Sequence, residues 1–135
     1  MDQMATSNLT LVREYLNALQ GGEVGVALKR FFTDDAVQVE FPNRLNPAGQ
    51  RSDLAAILAR SIQGQKVLSS QRYEIVSELA SGERVAVEAR WSGKLAITLG
   101  ALAEGSEMRA QFALFFECRD GRIARQHNYD CFEPW

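Results

Sequence analysis

Residues 112–132 read FALFFECRDGRIARQHNYDCF. Asp120-Gly121 between two apolar-rich runs is a strong short-range hairpin signal, because the tight turns that join antiparallel strands need positive φ, which Gly and Asp tolerate. Counting outward from that turn, Cys118 faces Ile123 and Cys131 faces Ala110. One side of the ribbon then holds Phe112, Leu114, Phe116, Ile123, Arg125, His127, Tyr129 and Cys131. The other holds Gln111, Ala113, Phe115, Glu117, Ala124, Gln126, Asn128, Asp130 and Phe132. The first side is the more apolar and is expected to face the protein interior, which points His127 and Tyr129 inward. Asp130 faces outward on this register, but a β-bulge would shift the parity and bring it inward. The two cysteines lie about eight residues apart along the ribbon, roughly 26 Å at ~3.3 Å per residue. A disulfide needs Cα atoms within about 7 Å, so both are expected to be free thiols, as in a reducing compartment.

Upstream, the pattern changes period. Leu9, Val12, Tyr15, Leu16 and Leu19 recur at helical steps, predicting a helix from about Ser7 to Gln20 that ends at Gly21-Gly22. A shorter helix follows, with Val24, Ala27, Leu28 and Phe31 on one side. TDDAVQVEF then alternates, with Val37, Val39 and Phe41 on the side expected to be buried. PNRLNPAGQR, residues 42–51, reads as a loop long enough to rim a pocket. A third helix is expected from Ser52, which can cap it, to Gly64, with Leu54, Ile57, Leu58 and Ile62 buried. After it QRYEIVSEL and RVAVEARW alternate. A three-residue connection, Ala80-Ser81-Gly82, would align Tyr73, Ile75 and Leu79 with Val85, Val87, Ala89 and Trp91. SGKLAITLGALAEGS, residues 92–106, reads as a strand end plus a loop.

Helices gathered early and strands gathered late imply an α+β protein, with helices on one side of a mostly antiparallel sheet. At 135 residues the chain suits one domain, 1–135, with a core that needs no metal or disulfide staple. Hydrophobic residues are 46%, charged residues 24% and the net charge is −2, with no basic patch, which argues against nucleic-acid binding. No apolar run reaches the ~18 residues of a membrane span. MDQMATSN has neither a basic start nor an apolar run of the secretory kind, so a cytoplasmic location is expected.

Several strings now combine: EYLNALQGGE in the first helix, RFFTDDAVQVEFP through the first strand, WSG after the third, and FFECRDGRIARQHNYDCFEPW at the end. Together with the element order they resemble the nuclear transport factor 2-like superfamily, and within it the SnoaL-like branch, over nearly the whole chain. The resemblance implies a cystatin-like cone: three N-terminal helices packed on a strongly curved, mixed, mostly antiparallel sheet, with a pocket at the wide end. It also implies a choice of functions, from steroid isomerases, epoxide hydrolases and polyketide cyclases to binding modules without catalysis. Of the three groups that steroid isomerases use, only the helix-1 tyrosine has a counterpart, Tyr15. Phe41, beside Glu40, stands where their base would fall, and Leu114 where their protonated acid would.

Candidate catalytic residues are His127, whose side-chain type changes charge nearest neutrality and so suits proton transfer, with Asp130 and Tyr15. Tyr129, Trp91, Tyr73, Phe41 and Phe112 are expected to contact a ligand. Glu40, alternating with Gln38, is expected to face solvent. One histidine without an acidic cluster gives no metal site, and no cofactor is implied. The expected function is cofactor-free acid/base chemistry of an isomerase, cyclase or hydrolase type on a small apolar molecule. The alternative is a non-catalytic protein that binds a small hydrophobic ligand. His127 and Asp130 within ~3 to 4 Å of each other in a cavity would favour chemistry; Asp130 in solvent would favour binding. Ala113, Phe115, Ala124 and Phe132 on the outer side predict a homodimer through the sheet.

Overall fold

The computed structural model describes residues 2–135. Helix α1 (Gln3–Gln20) begins four residues earlier than its apolar stripe predicts, because the Asp2 carboxylate accepts the Ala5 amide at 2.6 Å and caps it. A 3-10 helix (Gly25–Phe31) follows, then strands β1 (Phe32–Glu40) and β2 (Gln50–Asp53). Helix α2 (Leu54–Val67) comes next, then β3 (Leu68–Ser81), β4 (Arg84–Leu95), β5 (Glu107–Arg119) and β6 (Arg122–Phe132). The protein is thus α+β, with a six-stranded mixed sheet and three helices. The expectation of three N-terminal helices needs correction. The second helix is 3-10, and the third follows two strands rather than the one expected, because the end of the expected loop (50–51) and the expected helix start (52–53) pair with β1 as β2. Asp53, rather than Ser52, caps α2, accepting from the Ala56 amide at 2.9 Å.

The strand order is β2-β1-β6-β5-β4-β3, with β1 and β6 parallel and every other pair antiparallel. One face of the sheet meets α1, whose Val12, Tyr15 and Leu16 are buried against it. Tyr15 is held edge-on by Phe31, Phe32 and Phe116 at centroid distances of 5.5, 5.2 and 6.4 Å. Each aromatic ring of this kind, fully buried, contributes roughly 1.5–3 kcal/mol. Asn8 ties α1 to the β3–β4 turn by donating to the Gly82 carbonyl at 3.0 Å.

Two bulges set which side chains face the helices. In β3 the register shifts between Ile75 and Ser77, so the turn has two residues, Gly82 and Glu83, rather than the three expected. Tyr73 and Ile75 keep the expected face, now opposite Trp91 and Ala89, but Leu79 is carried to the outer side, where it is 73% exposed. In β6 the hairpin starts as predicted, with Asp120 and Gly121 at φ 53 and 74 and Cys118 opposite Ile123. Glu117 then pairs with Arg125, leaving Ala124 as an extra residue. Beyond that point every side chain of β6 changes face.

Candidate functional site

The β6 bulge delivers Gln126, Asn128, Asp130 and Phe132 to the face that meets the helices. β1 runs parallel to this strand with Gln38 beside Gln126 and Glu40 beside Asn128. Five polar side chains from two neighbouring strands therefore face inward where a core would be expected. They form one wall of a cavity of about 660 Å³, within the usual range of small-molecule sites. The same sheet face continues across β5 and β4 as an aromatic wall, with Phe112 directly beside Asp130. Trp91 and Phe112 stack at 5.2 Å with 19° between their planes, and Tyr73 and Phe132 meet them edge-on. The Trp91 indole N–H donates to Gln71 Oε1 at 3.0 Å, which fixes the ring.

At the mouth, Arg60 from α2 donates to Glu40 Oε1 at 2.9 Å and reaches Ser52 Oγ at 3.4 Å. The other Glu40 oxygen accepts from Asn43 Nδ2 at 2.8 Å. Asn43 Oδ1 in turn accepts the Leu45 and Asn46 amides at 3.0 Å each, so the 42–49 loop is folded onto Glu40. Gly49 closes this loop at φ +66, and a Cβ there would stand 2.7 Å from the Glu40 carbonyl oxygen, so only glycine fits. The loop is also tied to the C-terminus. Arg44 lies 5.0 Å over the Trp135 ring and donates to the Trp135 carbonyl, and Trp135 packs on Phe132.

Asp130 sits beside this paired set without joining it. Its Oδ1 is buried and has no hydrogen-bond partner. Burial pushes its carboxyl up to about 7; the Glu40 charge adds to the rise and Arg60 opposes it. Tyr15, 3% exposed, also lines the cavity. Burial pushes its hydroxyl well above the ordinary tyrosine range, while the nearby Gln38 and Gln126 amides act the other way. Tyr73 is raised as well, by burial first, with the neighbouring Tyr15 and Asp130 adding to the rise. A carboxyl that exchanges its proton near neutrality, in a cavity walled by aromatic rings, is equipped for general acid/base chemistry.

Five of the eight candidate residues, Tyr15, Tyr73, Trp91, Phe112 and Asp130, line this cavity. The inward placement of His127, Tyr129 and Phe41 is overturned. His127 is opposite Phe115, and Tyr129 opposite Ala113, on the outer face. Phe41 stacks on Tyr129 at 4.4 Å and meets His127 edge-on at 5.6 Å, so it lies outside too. His127 and Asp130 are thus on opposite faces of the sheet, and the anticipated contact between them does not form. Phe132 moves the other way, from the expected outer face to the cavity wall. Glu40, expected in solvent, and Arg60, Gln126 and Asn128 are cavity residues that the apolar pattern did not select. A second hollow, of about 640 Å³, lies on the outer face along Phe115, His127, Leu79 and Ala86. It holds no buried acid, so the chemistry is assigned to the inner cavity.

The profile of the SnoaL-like domain matches residues 12–126, most of the chain. The chain belongs to the SnoaL-like family. No curated protein matches its sequence. Among solved structures, this SnoaL-like chain is similar to AclR, a candidate hydroxylase from Streptomyces galilaeus, at 14% identity and TM-score 0.79, over 96% of this chain and 82% of that one. It is also similar to IdmH, a candidate polyketide cyclase from Streptomyces antibioticus, at 18% identity and TM-score 0.75, over 91% of each chain. A phenazine biosynthesis-related protein from Pseudomonas aeruginosa aligns at 15% identity and TM-score 0.75, over 95% of this chain and 81% of that one. At such identities the likenesses establish the shared fold; the site's chemistry rests on the residues described above. Among the described residues, no helix of this SnoaL-like protein is long and apolar enough to cross a membrane.

Proposed function

We propose that this SnoaL-like protein is a cofactor-free acid/base catalyst that moves a proton on a small, largely apolar carbonyl-type molecule held in the inner cavity. The observation that carries this reading is Asp130, an inward, partly desolvated carboxyl with an unpartnered oxygen and a proton it exchanges near neutrality. The Trp91–Phe112 stack supplies a flat surface for the body of the molecule. Glu40, paired with Arg60, fixes the mouth and raises the proton affinity of Asp130. With a ketone, the α C–H bond breaks, its proton passes to the Asp130 carboxylate, and the pair left on carbon delocalises onto the carbonyl oxygen as an enolate. Return of the proton at another position of a conjugated enolate completes an isomerisation; in a cyclisation the enolate carbon attacks a second carbonyl, whose π pair becomes an alkoxide, and Asp130 returns its proton to that oxygen.

The test is deuterium incorporation from D₂O into the α positions of a small bicyclic ketone such as 2-tetralone, followed by NMR. Exchange well above the buffer rate is expected near pH 7. His127→Ala should leave that rate within about twofold, because the imidazole lies on the outer face. Saturable binding of the ketone with no exchange would move the protein to the non-catalytic, ligand-binding class.

The outer face supports a second proposal, a homodimer. Phe115 is 49% and Tyr129 41% exposed, and Phe41 and His127 pack beside them in one continuous aromatic patch. Apolar surface of this kind is costly to leave in water. Light scattering should give about twice the 15.0 kDa chain mass at micromolar concentration. Phe115→Asp should return the protein to the monomer, and a monomeric wild type would dismiss the proposal.

A further inference from the structure

Gln126 places a buried amide beside the Tyr15 hydroxyl with only part of its hydrogen-bonding capacity used. It is 3% exposed, on the inward face of β6, and lines the cavity beside Gln38 of β1 and the Tyr15 hydroxyl. Its Nε2 donates to Asn128 Oδ1 at 2.9 Å, but its Oε1 is buried with no partner. A buried amide oxygen left unpaired costs on the order of 1–3 kcal/mol, and an apolar side chain of the same length would avoid that cost. The group stands four residues before Asp130 on the same face, about 13 Å away along the strand at ~3.3 Å per residue. The cavity thus has two unpartnered acceptors at its polar wall: the Asp130 carboxyl near the mouth, beside Arg60 and Glu40, and the Gln126 carbonyl at its buried end. An aromatic wall joins them.

We propose that Gln126 is a specificity-determining residue: its side-chain carbonyl accepts a hydrogen bond from a hydroxyl at the buried end of a ring-bearing ligand, remote from the atom that Asp130 serves. The ligand class is therefore a flat, largely apolar ring compound with a hydroxyl on the edge opposite its reacting group. This rests on the inner cavity being the ligand site. The hydroxyl restores the missing partner, whereas a bare hydrocarbon leaves the oxygen unpaired, so selectivity arises from a polar group that only the hydroxylated ligand satisfies.

The probes are naphthalene and 2-naphthol, titrated by calorimetry against wild type, Gln126→Met and Asp130→Asn. Comparing the affinity ratio of the two compounds between proteins cancels their different hydration. Gln126→Met should lower the relative affinity for 2-naphthol about three- to tenfold, the worth of one hydrogen bond, and leave naphthalene binding equal or tighter. Asp130→Asn should leave the ratio unchanged. In unmutated protein, whatever the folding of the variant, the Gln126 side-chain amide protons should show NOEs to bound 2-naphthol. A ratio unmoved by Gln126→Met, a ratio that collapses only in Asp130→Asn, or the absence of those NOEs from a bound naphthol overturns the proposal and leaves the ligand cavity standing. Failure of wild type to bind either compound overturns both.

Discussion

Asp130→Asn should reduce proton exchange on a bound ketone by about 10²- to 10⁴-fold, the range contributed by a positioned acid/base group, while the fold persists. The substitution is nearly isosteric. Asparagine keeps an oxygen and adds an amide N–H₂ beside Glu40, so the mouth retains its hydrogen-bonding capacity but loses the group that can take and return a proton. No other cavity residue is placed to substitute. Glu40 is committed to Arg60 and Asn43, and the Tyr15 and Tyr73 hydroxyls are pushed away from neutrality. Ligand affinity, read by calorimetry, should change much less than the exchange rate. An exchange rate within threefold of wild type would remove Asp130 from the chemistry.

The same substitution should stabilise the protein in alkali. In the unfolded chain the Asp130 carboxyl has its ordinary value of 3.8, and in the folded protein it is pushed up to about 7. A carboxyl that holds its proton more tightly when folded carries no penalty below pH 3.8. The penalty grows as pH rises from 3.8 to about 7, because over that span the unfolded chain has lost the proton that the native state still binds, and it is constant above that, where both states have lost it. The full span corresponds to on the order of 4 kcal/mol at ~1.4 kcal/mol per pH unit, and partial solvent access lowers it to about 2–3 kcal/mol. Asp130→Asn should therefore unfold at higher denaturant than wild type at pH 8 by about this amount, and the gain should vanish near pH 3.5. Equal stability at pH 8 would mean that the carboxyl is not desolvated.

Much of the fold is legible in the residues. The Leu9–Leu19 stripe gives α1, Asp120-Gly121 gives the hairpin, and the change from a period of three to four residues to a period of two after residue 64 gives the α+β order. Register was harder to read. A single extra residue, Ala124, reverses the facing of everything from Gln126 to Phe132, and backbone bulges have no strong side-chain signature. The rule that the more apolar row faces inward also failed, on β1 and β6 together. Val37, Val39 and Phe41 lie on the outer face with His127 and Tyr129, while Gln38, Glu40, Gln126, Asn128 and Asp130 face the helices. The rule assumes a filled interior and a wet exterior, and here an inner cavity needs polar groups while the outer face is apolar. One available signal was the repetition of polar side chains at every second position in both strands, Gln38-Glu40 and Gln126-Asn128-Asp130. Polar rows that run side by side with apolar rows of equal length mark two functional faces rather than one core. Arg60 could not be read this way, because its role depends on how α2 lies against β1.

The bulge at Ala124 turns Asp130 into the cavity, and the site's chemistry follows from it. The most direct measurement is a pH titration of the Asp130 side-chain carboxyl by ¹³C NMR, with Asp130→Asn used to assign the resonance. A midpoint near 7 is predicted. A midpoint near the ordinary 3.8 would place the carboxyl in water on the outer face, with the inner cavity left without its acid.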